Sequence, residues 1–174
     1  MSGRSETLRA VMRGHGADLL ARALLLTGDD AAAGSLVERA LAHGTGRGHL
    51  ADSPDEAATE VRRALHRAFR RDKDAEPPLT PVTDPDPTPE ADIREALRLL
   101  TRRERVALVL RYLDEMAATA IAAELDVSVK AVVADLRSGA ERLAATRPDL
   151  RIDVEDAVEG GVEEELTVAF GARR

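Results

Sequence analysis

The chain has no cysteine and no tryptophan, and its aromatic side chains come to one tyrosine and two phenylalanines. Without cysteine there are no disulfides and no thiolate metal sites, which agrees with a reducing compartment. So few flat side chains leave little for stacking on unpaired bases. No apolar run approaches the length needed to cross a bilayer, and the N-terminus lacks the apolar segment and cleavage site of a secretory signal, so the expectation is a cytoplasmic protein with no membrane insertion. The four histidines are scattered, with no nucleophile and base pair, no metal-ligand spacing and no phosphate-binding loop. The expectation is therefore no enzyme, no catalytic residue, no metal and no cofactor.

What is present is helical patterning. With 44% apolar residues in 174 the chain is globular and long enough for one domain or two small ones. A first helix is expected from Ser5 to Leu26, with an apolar stripe of Leu8, Val11, Met12, Leu19, Leu20, Ala23 and Leu24 that Gly14 and Gly16 weaken in the middle. Thr27-Gly28-Asp29-Asp30 stops that helix and caps a second, Ala31 to about Ala42, which turns Leu36, Val37, Ala40 and Leu41 inward. The glycine-rich run from His43 to His49 reads as a surface loop; its two histidines lack the convergent ligands a metal needs.

A third helix, Pro54 to Lys73, starts with Asp55 and Glu56 at its favourable negative end. Ala57, Val61, Ala64, Leu65, Ala68 and Phe69 form its apolar side, leaving Arg62, Arg63, Arg67, Arg70, Arg71 and Lys73 opposite. Although the net charge is −7, this local basic excess suits a phosphate backbone, with a merely solvated face as the other reading.

Six of the eight prolines fall between Asp74 and Pro89, so that segment reads as a semi-extended tether. The fold class expected is all-α: two small helical domains, 1–73 and 90–147, joined by a Pro-rich linker at 74–89 and followed by an acidic tail at 148–174. The second domain opens with Glu90 to Leu100 and continues through Thr101 to Leu113. There Thr101 and Glu104 form a capping box, and Val106, Leu108, Val109, Leu110 and Leu113 supply core. Met116, Ile121, Ala122 and Leu125 lie on one face of a short helix, and Val129, Val132, Leu136 and Leu143 on one face of a longer one. Between them Asp126 tolerates left-handed backbone angles and Ser128 can cap the longer helix. Such a pair is either a helix-turn-helix, whose second helix enters a DNA major groove, or part of an ordinary bundle.

The segments LTRRERVALVLRYLDEM and AATAIAAELDVSVKAVV, Leu100 to Val133, resemble the C-terminal promoter-reading domain of the extracytoplasmic-function sigma factors of bacterial RNA polymerase. ADLLARALLLTGDDAAAGSLVERAL, Ala17 to Leu41, resembles the start of that family's other conserved domain. The resemblance spans about Leu8 to Leu143 in the family's order. It implies a two-domain specificity subunit whose partners are core RNA polymerase, promoter DNA and, in many such systems, an anti-sigma factor. It further implies downstream DNA contacts by Arg62, Arg63, Arg67 and Arg70, upstream contacts by Lys130, Arg137 and Arg142, and polymerase docking by Leu36, Val37, Glu38 and Leu41.

The chain departs from the family pattern at its contact surfaces. Gly34, Ser35, Glu38 and Arg39 stand where the family has an acidic pair followed by glutamine and glutamate. No aromatic residue lies between Leu41 and Glu60. Ala131, Val132 and Val133 replace threonine, valine and lysine in the reading helix, and Ser138 stands where the family tends to have arginine. An alternative is thus a degenerate relative that keeps the fold but acts through protein contacts, on an anti-sigma regulator or another transcription protein. In the tail, Val154, Val158, Val162, Leu166 and Phe170 recur every fourth residue among eight carboxylates, which reads either as a solvated, frayed terminus or as a segment that folds back on the arginines of the third helix or of the second module and competes with DNA. In the second case, deleting Asp149 to Arg174 would raise DNA affinity at low salt.

Overall fold

The computed structural model describes residues 2–44, 53–72, 89–148, 152 and 157–158. Every regular element among them is a helix: α1 (Ser2–Thr27), α2 (Asp30–Gly44), α3 (Pro54–Arg71), α4 (Pro89–Arg98), α5 (Arg102–Tyr112), α6 (Ala118–Leu125) and α7 (Val129–Thr146). The protein is all-α. The chain divides into two compact units, Met1–Pro78 and Leu79–Arg174. The proline-rich segment 74–88, most of the glycine-rich loop and most of the acidic tail lie outside the described residues; in the tail, Ala157 and Val158 are helical and buried.

In the first unit α1, α2 and α3 pack against one another. The core is filled by Val11, Leu19, Ala23 and Leu26 of α1, Leu36, Val37 and Ala40 of α2, and Val61, Leu65 and Phe69 of α3. The apolar stripe of α1 is narrower than its sequence implies. Val11, Leu19 and Ala23 recur at four- and eight-residue intervals and face inward, whereas Met12 and Leu20 each stand one residue further on, about 100° round the helix, and are exposed. Gly16 does not break α1; it is buried within it.

The turn between α1 and α2 is dictated by its own residues. Gly28 adopts φ 71°, a left-handed value glycine takes without cost, and its amide bonds back to the Leu24 carbonyl at 2.7 Å. Asp29 then caps α2, its Oδ1 accepting from the Ala32 amide at 2.8 Å. α3 starts in the same way, with Ser53 Oγ accepting from the Glu56 amide at 3.1 Å and Pro54 at the first helical position. At the other end of α2, a Cβ on Gly44 would stand 2.9 Å from the Val61 Cα, so only glycine lets these two backbones meet there.

In the second unit α7 packs on both α5 and α6. Thr101 caps α5 and separates it from α4, which ends at Arg98. The capping box is complete, with Thr101 Oγ1 accepting from the Glu104 amide and Glu104 Oε2 accepting from the Thr101 amide. Val106, Leu108, Val109 and Leu110 are buried as expected, but Leu113 is 55% exposed because α5 ends at Tyr112 and the chain turns away. Arg105, which apolar patterning would place outside, is fully buried and donates from Nη2 to the Leu100 carbonyl at 3.2 Å. Met116 precedes α6, which begins only at Ala118; Glu115 takes φ 52°, and the Met116 amide donates to the Leu110 carbonyl at 3.1 Å.

Candidate nucleic-acid interface

The helix-turn-helix consists of α6, a three-residue turn and α7. Asp126 closes α6 in the left-handed region, φ 58° and ψ 55°. The amides of Asp126 and Val127 both donate to the Ala122 carbonyl, the latter at 3.0 Å, satisfying the end of α6. Ser128 opens α7 by accepting from the Ala131 amide at 3.2 Å. Ile121, Ala122 and Leu125 of α6 are buried, as are Val132, Leu136 and Ala140 of α7, so the crossing is fixed by packed aliphatic groups.

α7 presents two sides. Val132, Leu136, Gly139, Ala140 and Leu143 face the core. Lys130, Ala134, Arg137, Ser138, Glu141 and Arg142 are exposed, and Val133 is half-buried. Its three candidate DNA-binding cations are not equivalent. Among the described residues Lys130 and Arg137 have no hydrogen-bond or ion-pair partner. Arg142 has one: its Nε lies 3.3 Å from Glu104 Oε2 and its Nη2 3.4 Å from Oε1.

Glu104 is the centre of that arrangement. Its side chain is only 5% exposed, while Arg142 is 46% exposed. The Ser138 hydroxyl donates to Glu104 Oε1 at 2.6 Å, and the Thr101 amide donates to Oε2 at 2.8 Å. Burial pushes the carboxyl's pKa up, but the hydrogen bonds from Ser138, Thr101 and Arg142 together outweigh it and hold the group below its ordinary value. Gly139 makes the approach possible, since a Cβ there would come within 2.8 Å of Leu108 Cδ1 and 3.1 Å of Glu104 Cβ. Sequence reasoning found Glu104 as a capping residue and missed that it also anchors α7. The hint in the sequence is Ser138 beside Gly139, the single glycine of α7, but it names no partner.

In the first unit Arg63, Arg67 and Arg70 recur at i, i+4 and i+7 and share one side of α3, while Arg62 stands roughly 100° from Arg63. Arg63 is paired with Glu60 at 2.9 Å. Arg62 instead borders a small cleft with His15, Asp18, Asp55 and Thr59, in which His15 Nε2 lies 2.9 Å from Asp55 Oδ1. Among the candidate docking residues, Leu36 and Val37 are core, 0% and 5% exposed. Glu38 and Leu41 reach a shallow groove shared with Leu8, Arg9, Met12 and Ala42. Close by, Arg39 pairs with Asp72 at 2.7 Å.

Among the described residues no three carboxylates or histidines come together to hold a metal, and no helix is long and apolar enough to cross a membrane. No curated protein matches the chain. The family model described as Sigma-70, region 4 matches residues 90–143, from the start of α4 into the last turn of α7. Residues 90–143 are therefore a sigma-70 region 4 domain built around a helix-turn-helix, and the resemblance read from the sequence holds there at the level of the sigma-70 family.

Proposed function

We propose that the chain is a sigma factor of the extracytoplasmic-function type, a cytoplasmic subunit that binds core RNA polymerase and directs it to promoters without catalysing a reaction itself. The observation that carries this reading is the region 4 match over a helix-turn-helix whose second helix holds Lys130 and Arg137 outward and unpartnered among the described residues. On this reading Lys130 and Arg137 contact the upstream promoter element, with Arg142 behind them positioned by Glu104. Arg62, Arg63, Arg67 and Arg70 of α3 contact downstream DNA. Glu38 and Leu41 meet polymerase over a wall built on Leu36 and Val37.

A second reading has a specific observation in its favour. Ser138 and Arg142 are both engaged by Glu104, which leaves Lys130 and Arg137 as the cations of the reading helix without a partner among the described residues, with the acidic Glu141 on the same helix. A relative that works by holding another transcription protein or an anti-sigma factor would tolerate that loss. The two readings part on one experiment: the full chain is passed over core polymerase, and the assembled complex is then titrated with promoter DNA at increasing salt. Copurification and a salt-dependent shift support the sigma factor. A chain that passes over core polymerase unretained but binds another transcription protein supports the alternative.

A further inference from the structure

Lys130, Val133, Ala134 and Arg137 are spaced i, i+3, i+4 and i+7, the spacing of one helix face, and all four lie in the first half of α7; Lys130, Ala134 and Arg137 are exposed, and Val133 is half-buried at the margin of the buried row Val132, Leu136 and Ala140. The two cations at the ends of this row carry no partner among the described residues, and the two side chains between them end in methyl groups only. Seven residues of α-helix rise about 10 Å, which is the length of about three base-pair steps at roughly 3.4 Å each. Below the row, Glu141 is exposed and would face a phosphate unfavourably, and Arg142 is held by Glu104. The usable reading face is thus short and its centre is aliphatic.

We propose that this face reads 5-methyl groups of thymine in the DNA major groove, with Val133 and Ala134 as the specificity-determining residues and Lys130 and Arg137 as the brackets that seat them. The chemistry is set by what the side chains lack. Val133 and Ala134 have no donor or acceptor with which to distinguish the polar edges of bases, and the thymine methyl is the one apolar group that projects from a base pair of unmodified DNA into the major groove. The cations on either side supply what the aliphatic centre cannot. Lys130 meets a phosphate or base acceptor, and Arg137 can span the O6 and N7 acceptors of a guanine. The preferred site therefore contains one or two thymines within about three base pairs of that guanine.

The inference rests on the reading of α7 as a DNA-binding helix, and its test separates the two. Random duplexes are selected on the full-length chain at low salt, and the enriched duplex is remade with each thymine replaced in turn by deoxyuridine, which removes only the methyl. Fluorescence anisotropy should show about fourfold weaker binding at each contacted position, equivalent to about 0.8 kcal/mol for a methyl returned to water. With Val133→Ser or Ala134→Ser the thymine and deoxyuridine forms should bind equally at the position that residue contacts. If the duplexes bind alike with the parent chain, or if both serine variants keep the full thymine preference, methyl reading is overturned while DNA binding stands. If no sequence is enriched over the starting pool, the DNA-binding reading falls and this inference with it.

Discussion

Ser138 and Glu104 meet at 2.6 Å across the packing of α7 on α5, the hydroxyl of the helix-turn-helix's second helix donating to a carboxylate that is already serving as the cap of another helix. One buried group thus holds both the start of α5 and the middle of α7. The Arg142 guanidinium closes the cluster from the solvent side.

Glu104→Ala removes the acceptor for Ser138, for the Thr101 amide and for Arg142 at once. Thermal unfolding of the second unit should show a loss of about 2 to 4 kcal/mol, since hydrogen bonds to a charged group contribute about 1.5 to 3 kcal/mol each and are not additive. Glu104→Gln keeps the volume and one acceptor oxygen and should lose less. An alanine variant as stable as the parent would show that the cluster contributes nothing net.

The same carboxylate makes the unit sensitive to acid. Its folded pKa lies below the ordinary glutamate value, so the unfolded chain takes up the proton first as pH falls. The stabilisation is therefore complete above about pH 4.5 and is lost progressively as pH drops below it towards and through the folded pKa. Chemical denaturation between about pH 3 and 7 should show a steeper loss of stability on acidification for the parent than for Glu104→Gln, whose amide does not titrate.

Arg142 and its two neighbours on α7 should separate experimentally. Lys130→Ala should lower the slope of log affinity against log salt by about 0.9 where it contacts a phosphate, and Arg137→Ala should weaken binding most to duplexes carrying the contacted guanine, both with thermal stability almost unchanged. Arg142→Ala should do the reverse, lowering stability by up to about 1 kcal/mol because the pair is half-exposed, and changing the salt slope less. A slope lowered as much by Arg142→Ala as by Lys130→Ala would deny that Glu104 withholds Arg142 from DNA.

Two glycines should respond differently to alanine. At Gly44 the new Cβ would face the Val61 backbone, which cannot give way, so Gly44→Ala should cost about 1 to 3 kcal/mol in the first unit. At Gly139 part of the obstacle is the end of the Leu108 side chain, and a mid-helix alanine gains about 1 kcal/mol in helix propensity. Gly139→Ala should therefore cost less than Gly44→Ala, a ranking that denaturant midpoints would check directly.

Capping offers a smaller test. Ser128→Ala should cost about 1 kcal/mol by leaving the Ala131 amide without its side-chain acceptor. Asp126→Gly should cost less than Ser128→Ala, because Asp126 sits at φ 58° and glycine, which accepts that geometry more readily, offsets part of the loss of the side chain's own interaction. A strongly destabilised glycine variant would mean that the Asp126 side chain matters to the turn in another way.

Local chemistry alone determined the helical elements and their punctuation. Gly28 and Asp29 between α1 and α2, Thr101 with Glu104 at the start of α5, and Asp126 with Ser128 in the turn before α7 each act on amides within a few residues of themselves, and that range is what a linear reading sees. Tertiary packing decided the rest. It buried Arg105, exposed Met12, Leu20 and Leu113, and assigned Arg142 to a carboxylate on another helix while leaving Lys130 and Arg137 without a partner among the described residues. Which of several similar cations stays available depends on which carboxylate reaches it across the crossing of α5 and α7, a distance set by Gly139 and by packed aliphatic groups rather than by spacing along the chain.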